Sequence, residues 1–94
     1  MCKPKTVYRI KGLIRQSQIS EVLGLIPRAN HVLYTATFRD KQDERRIAHG
    51  KKPMHADFKK YGHIEVRDSD KEHLATIYQA IRPYLVRNYT HDFA

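Results

Sequence analysis

A change of hydrophobic period marks residues 61–81, which read YGHIEVRDSDKEHLATIYQAI. The first eight residues alternate between apolar and polar side chains, with Ile64 and Val66 on one side, and this alternation predicts a half-buried strand. Apolar residues then recur at helical spacing, at Leu74, Ile77, Tyr78 and Ile81. The stretch therefore predicts a strand followed directly by a helix.

The ends of that helix are also marked. Ser69 with Glu72 three residues later forms a capping box, and Asp70 adds a favourable charge in the first turn. Pro83 removes a backbone donor, so the helix is predicted to end near residues 80–82. The remainder, residues 84–89, is predicted as a short strand, although Leu85 also continues the helical stripe.

Three segments before residue 40 have a regular period. Residues 6–14 and 31–39 alternate as strands do, whereas residues 16–26 have apolar side chains at helical spacing. Ser17 is the predicted N-cap of that helix, and Pro27 prevents its continuation. A strand, a helix and a second strand are therefore expected before residue 40.

Residues 40–60 interrupt this regularity. They contain Gly50, Pro53 and seven of the eighteen basic residues. A connection this long without regular structure is usually functional. We expect a long basic, flexible loop, with at most one helical turn around residues 43–48.

The order of elements predicts the fold. Strand, helix, strand, strand, helix and strand is the split βαβ arrangement, or ferredoxin-like order βαββαβ. We expect one α+β domain over residues 1–94, with a four-stranded antiparallel sheet and both helices on one face. The long basic loop would connect strands 2 and 3, and the second face of the sheet would stay open.

Composition excludes several classes of protein. The chain has 94 residues, which are too few for several domains. Of these residues 40% are hydrophobic and 30% charged, and this composition is too apolar for a disordered tail. No apolar run has the length of a bilayer span and the N-terminus is not of secretory type, so we expect an intracellular, cytoplasmic protein without membrane contact. Cys2 has no partner for a disulfide. The histidines lack metal-site spacing, so no metal and no cofactor is expected.

The charge is strongly positive and unevenly distributed. Eighteen basic against ten acidic residues give a net charge of +8. Residues 1–30 and 31–60 carry net charges of +5 and +4, whereas residues 61–94 carry −1. Such an excess favours a polyanionic partner, provided that the fold gathers it on one side.

Residues 59–66, KKYGHIEV, resemble the octapeptide on the third strand of the RNA recognition motif. Four positions match and three depart from the pattern: Lys59, Tyr61, Gly62 and Ile64 match, while Lys60, His63 and Val66 depart. VYRIKGL, residues 7–13, is more loosely similar to the hexapeptide of that family, with Tyr8 as its stacking aromatic. The similarity in element order covers residues 6–89.

The resemblance implies RNA binding on the open sheet face, where rings stack under unpaired bases and cations contact phosphates. Tyr61 and His63 are then the stacking candidates. Exposing Tyr8 would turn its basic neighbours toward the core, so either Tyr8 is a core residue or the strand is bent. The predicted phosphate contacts are Arg9, Lys11, Arg39, Arg45, Arg46, Lys51, Lys52, Lys59 and Lys60.

The sequence thus predicts a small nucleic-acid-binding protein, with RNA a better match than DNA, acting as a monomer or a homodimer. No clustered carboxylates, nucleophile elbow or phosphate-binding glycine loop points to an enzyme, and no catalytic residue is assigned. Two alternatives remain open. One is a small inhibitor or adaptor that binds a protein complex handling nucleic acid; the other is a metal-independent ribonuclease using His49, His55 or His63.

Overall fold

The computed structural model describes residues 6–56 and 58–93, which form an α+β fold. Its four strands make one antiparallel sheet in the order β2-β3-β1-β4. In chain order the elements are β1 (Tyr8–Arg15), a 3-10 turn (Gln16–Gln18), α1 (Ile19–Gly24), β2 (His31–Thr37), α2 (Lys41–Ala48), β3 (Tyr61–Asp68), α3 (Lys71–Ile81), a second 3-10 turn (Arg82–Tyr84) and β4 (Arg87–Asn88). Cys2 lies outside the described residues.

The core lies between one face of the sheet and helices α1 and α3. Strand β3 is central and pairs with β1 from Tyr61 to Asp68, and with β2 from Tyr61 to Arg67. The buried core cluster is Ile10, Ile14, Val22, Ile26, Ile64, Val66, Leu74, Ile77 and Ile81. The predicted alternation of β1 and β3 is therefore confirmed, because Ile10, Ile14, Ile64 and Val66 all face the helices.

The two predicted helix caps were wrong. Ser17 lies inside the first 3-10 turn, so α1 begins after Gln18, which makes no side-chain cap hydrogen bond. The N-cap of α3 is Asp70, whose Oδ1 accepts from His73 N at 3.2 Å. Ser69 is displaced from the cap because Asp68 Oδ1 accepts from Asp70 N at 2.9 Å, which moves the helix start by one residue.

The predicted irregular loop over residues 40–60 contains a two-turn helix, α2, instead of a single turn. Asp40 caps it, because Asp40 Oδ1 accepts from Asp43 N at 2.9 Å. The two ends of the segment are held together where the Phe38 and Phe58 rings stack at 6.2 Å and Arg39 N donates to Phe58 O at 2.8 Å. The connection between β2 and β3 is therefore basic but substantially ordered.

The last strand is shorter than predicted. The second 3-10 turn, which contains Pro83, extends to Tyr84, and β4 contains only two residues instead of the expected 84–89. The chain nevertheless follows β1 further, since Tyr89 N donates to Lys11 O at 2.8 Å and Arg9 N donates to Asp92 Oδ2 at 2.7 Å. None of the helices in the described part of the chain is long and apolar enough to cross a membrane.

Candidate nucleic-acid interface

The face of the sheet opposite the core carries the alternate residues of each strand. On β1 these include Arg9, Lys11 and Leu13, and on β3 they include His63 and Glu65. Leu13 is buried although it lies on this face, and it shares a groove with His63 and Tyr89. The open face therefore has a small apolar centre surrounded by polar and basic side chains.

Three cations surround a single carboxylate on this face. Glu65 Oε1 lies 3.8 Å from both Arg9 Nε and Lys11 Nζ, and Glu65 Oε2 lies 2.9 Å from Arg67 Nη2. The side chains of Arg9 and Lys11 are about half exposed. Four charged groups with a net charge of +2 thus lie on the accessible surface, where an incoming anion can reach them.

Two rings meet beside this cluster. The centroids of His63 and Tyr89 are 6.0 Å apart with a tilt of 51°, and Tyr89 is 41% exposed. Both rings line a shallow groove of about 400 Å³ that also contacts Lys11, Leu33 and Thr35. Sequence reasoning missed Tyr89, because only the folding of residues 86–92 along β1 brings it onto the open face.

The aromatic residues expected from the family resemblance are placed differently. Tyr8 packs on the helix side of the sheet, with Lys71 Nζ 5.7 Å from its ring centroid. Tyr61 points to the open face but is only 1% exposed, with Arg39 Cζ 5.7 Å above its ring. His63 is exposed as expected. On the open face His63 therefore pairs with Tyr89 instead of with Tyr61 as predicted, and Tyr8 packs against the core, which is one of the two alternatives that the sequence left open.

A second groove, of about 510 Å³, joins the open face to the start of α2. Arg39 and Lys41 line it on the side of α2, and Arg87 lines it on the side of β4. Asp40 and Glu44 also lie along this groove, and Asp40 Oδ2 is 3.9 Å from Arg87 Nη2. The fold thus brings part of the basic segment next to the sheet face.

The other predicted phosphate contacts are distributed along the connection. Arg45 and Arg46 lie on α2, and Arg46 Nε donates to Lys52 O at 2.7 Å. Lys51 and Lys52 are exposed just beyond that helix.

Two lysines lie near the start of β3. Lys59 Nζ is 5.9 Å from the Phe38 centroid and 5.8 Å from that of Phe58. Lys60 lines a small cavity with Arg15 and Tyr61. Of the predicted cations, Lys11 and Arg39 therefore border the grooves of the open face and Arg9 lies on that face beside Glu65, whereas the others extend from it along the connection.

A polar cluster fixes the segment after α2. Asp43 is fully buried, its Oδ1 accepts from Met54 N at 2.8 Å, and its Oδ2 lies 3.0 Å from His55 Nδ1. Burial alone would raise the pKa of the Asp43 carboxyl, but the hydrogen bonds from Met54 and His55 outweigh it and lower the pKa. Asp43 is therefore ionised near neutral pH and holds residues 54–55 against the helix.

The same cluster has the residue types of a cation site. One ligand atom each from Asp40, Asp43 and His55 lies within 4.8 Å of the others. The carboxylate of Asp43 already accepts two hydrogen bonds, which explains the cluster as a structural clasp of α2. The spacing of twelve residues between Asp43 and His55 gives no local sequence signal, so the pair was not predicted.

A second aspartate and histidine pair lies at the turn between β3 and α3. Asp68 Oδ2 accepts from Asn30 Nδ2 at 2.7 Å and lies 2.8 Å from His73 Nδ1. The backbone N–H of Asp70, the Asn30 amide and His73 together lower the pKa of the Asp68 carboxyl. This pair ties the loop before β2 to the start of α3.

Comparison with protein-family models, curated proteins and solved structures found no match.

Proposed function

We propose that this chain is a small RNA-binding protein that holds single-stranded RNA on the open face of its sheet. The proposed fold is the split βαβ arrangement, with α2 as an addition to the connection between β2 and β3. The sheet order β2-β3-β1-β4 and the position of α1 and α3 on one face support it. The observation that carries the functional proposal is the exposed His63 and Tyr89 pair beside accessible cations.

The cations would contact the RNA backbone. Arg9, Lys11 and Arg67 lie around Glu65 on the open face, while Arg39 and Lys41 border the adjoining groove. Exposed arginine and lysine side chains bind phosphate and release counterions, which gives affinity without sequence preference. A backbone that crosses the face toward α2 would then reach Arg45, Arg46, Lys51 and Lys52.

The two rings would contact the bases. Tyr89 and His63 leave a shallow groove between them and β2, and an unpaired base can stack on either ring. A duplex keeps its bases stacked on one another, so this mode favours a single strand.

The proposal is tested by titrating labelled single-stranded RNA, DNA of the same sequence and a duplex, each at several salt concentrations. About six phosphate contacts predict a slope of log affinity against log salt near −4, at about 0.7 per phosphate on a single strand. We expect the single-stranded RNA to bind more tightly than the duplex. The absence of RNA binding, or RNA binding whose affinity does not change with salt, would overturn the proposal and favour the protein-binding alternative.

A matched pair of double variants locates the binding face. Arg9→Gln with Lys11→Gln removes two cations from the open face, whereas Arg28→Gln with Arg82→Gln removes two exposed cations outside the β-strands. The first pair is expected to reduce the salt slope by about 1.4, since each lost contact removes about 0.7. Equal losses from both pairs would show that charge alone, and not this face, determines binding.

A second candidate function, metal-independent RNA cleavage, is favoured by the Asp43 and His55 geometry. A buried carboxylate on Nδ1 leaves Nε2 as the outward nitrogen, the arrangement of a general base. In such a reaction His55 Nε2 takes the proton of a 2′-hydroxyl and O2′ displaces O5′ from phosphorus. The leaving oxygen takes a proton from solvent, which gives a 2′,3′-cyclic phosphate and a 5′-hydroxyl.

Incubating labelled RNA with the protein and a chelator tests this candidate. Cleavage that is lost in His55→Ala and retained in His91→Ala, an exposed histidine near the C-terminus, would support it. Intact RNA with the wild-type protein would exclude it while leaving RNA binding unaffected.

A further inference from the structure

Strand β2 forms one edge of the sheet. It pairs with β3 along seven residues, from His31 to Thr37, and β3 lies on one side of it only. In residues 6–56 and 58–93, no strand pairs with its other side. That side therefore presents a row of backbone N–H and C=O groups that can accept another strand.

This edge lacks the usual protection against pairing. Its sequence, HVLYTAT, contains no Lys, Arg, Asp, Glu, Pro or Gly, although 30% of the chain is charged. Leu33 is 43% exposed in the middle of the strand. The opposite edge is protected by its shortness, because β4 has two residues and is continued by side-chain contacts from Thr90 and Asp92.

We propose that two copies of this chain pair through their β2 strands, antiparallel and related by a two-fold axis. With the axis at Tyr34, Leu33 lies opposite Thr35 of the second copy and Val32 lies opposite Ala36. These pairs place aliphatic and β-branched residues beside one another and no like charges in contact. Two molecules of charge +8 repel each other, so an edge without charged residues is where they can approach most closely.

Such pairing would extend each four-stranded sheet into an eight-stranded one. A two-fold axis perpendicular to the sheet keeps both open faces on the same side. Leu33 and Thr35 line the groove beside His63 and Tyr89, so the two grooves would meet across the axis. The dimer does not depend on RNA binding, and its test is independent of the proposed function.

Light scattering and sedimentation of the purified chain without nucleic acid test the proposal. The protein is measured from about 1 to about 300 μM, because small interfaces have dissociation constants in this range. We expect the mass to rise from one copy to two, and to rise at lower concentration when salt is added, since salt screens the repulsion. Added salt is expected to weaken RNA binding but to favour the dimer, so either proposal can be contradicted without the other.

A double variant with a matched control identifies the surface. Leu33→Lys with Thr35→Lys places lysines opposite one another across the axis and is expected to abolish the dimer. Leu23→Lys with Ser20→Lys changes two exposed residues of α1 to lysine in the same way and is expected to leave the dimer unchanged.

Amide hydrogen exchange gives a second readout that does not depend on a variant. In the wild-type protein, exchange in residues 31–37 is expected to slow as concentration rises. A monomer throughout the range would overturn the proposal. A dimer that survives the lysines in β2, or that leaves exchange in residues 31–37 unchanged, would overturn it equally.

Discussion

Tyr89 and His63 differ from the other rings near β3, since Tyr61 is covered by Arg39 while these two remain exposed. If they stack on bases, the aromatic ring is the important property. Tyr89→Leu is expected to weaken binding of single-stranded RNA by about 1–3 kcal/mol, the contribution of one stacked base. Tyr89→Phe retains the ring and is expected to bind nearly as the wild type does, as measured by fluorescence anisotropy.

The salt dependence distinguishes stacking from charge. Because neither Tyr89 variant removes a cation, both are expected to keep the wild-type salt slope. Equal affinities of Tyr89→Leu and Tyr89→Phe would contradict the role given to the ring.

Asp43 is the fully buried acidic residue that joins α2 to the segment after it. Asp43→Ala leaves Met54 N without its acceptor and removes the partner of His55 Nδ1. We expect a lower thermal midpoint and faster amide exchange within residues 41–55, with β1 and β3 less affected. Glu44→Ala, which changes an exposed residue of the same helix, serves as the control. Equal effects of the two substitutions would show that the clasp does not stabilise the helix.

At the scale of the element, the cap of α3 can be tested directly. Asp70 Oδ1 accepts from His73 N, whereas Ser69 lies one residue before the cap. Asp70→Ala is therefore expected to reduce the free energy of unfolding by about 1 kcal/mol. Ser69→Ala is expected to change it by less than about 0.5 kcal/mol, which urea denaturation can resolve. A larger loss of stability in Ser69→Ala than in Asp70→Ala would instead support the capping box of Ser69 and Glu72 that the sequence predicted.

Strand β4 is attached where a glycine allows close approach. A Cβ added at Gly12 would lie 2.6 Å from Leu85 Cδ2 and 2.7 Å from Arg87 O, both closer than carbon contacts allow. Gly12→Ala is expected to cost about 1–3 kcal/mol and to increase amide exchange in residues 86–89. Gly24→Ala, where a Cβ meets nothing within 4 Å, is the control and is expected to leave that segment unchanged.

Long periodic elements were predictable from sequence, while the starts of the helices and the connection between β2 and β3 were not. The bounds of β3 were predicted correctly because its alternation is uninterrupted, and Pro83 marked the end of α3 correctly. The caps failed because a 3-10 turn and the Asp68 side chain move the helix starts. The length of α2 was underestimated because the contact between Asp43 in the helix and His55 beyond it forms only after folding.

The site was partly predictable for the same reason. Alternation placed Arg9, Lys11 and His63 on the open face, since period-two geometry fixes which face a strand residue occupies. It did not indicate that Arg39 covers Tyr61, nor that residues after β4 bring Tyr89 to His63. The first contact forms because β2 ends at Thr37, two residues before its predicted end, and the second depends on a segment without a regular period.

For the whole molecule, two carboxylates with lowered pKa values link stability to acidity. Asp43 and Asp68 each have a pKa below the ordinary value in the folded protein. Their stabilising contribution is therefore fully present above about pH 4 and is lost as the pH falls through the lowered values. We expect the urea midpoint to fall steeply below about pH 4, and less steeply in Asp68→Asn, which is also less stable at pH 7.

Glu72→Gln, which removes an exposed carboxyl group, is the control for this measurement. Its urea midpoint is expected to fall with decreasing pH as that of the wild type does. An unchanged decline in Asp68→Asn would show that this carboxyl is not linked to folding.

Glu65 has a consequence for selectivity under the RNA-binding proposal. Its carboxylate already occupies the position among Arg9, Lys11 and Arg67 that an arriving phosphate would take. It thus acts as a tethered competitor, present at the same local concentration whatever the surroundings. Under that proposal a lone nucleotide or inorganic anion would gain too little from one contact to displace it, whereas a polymer that engages several cations at once would displace it. The surface would in this way ignore the abundant small anions of a cell and respond to chains.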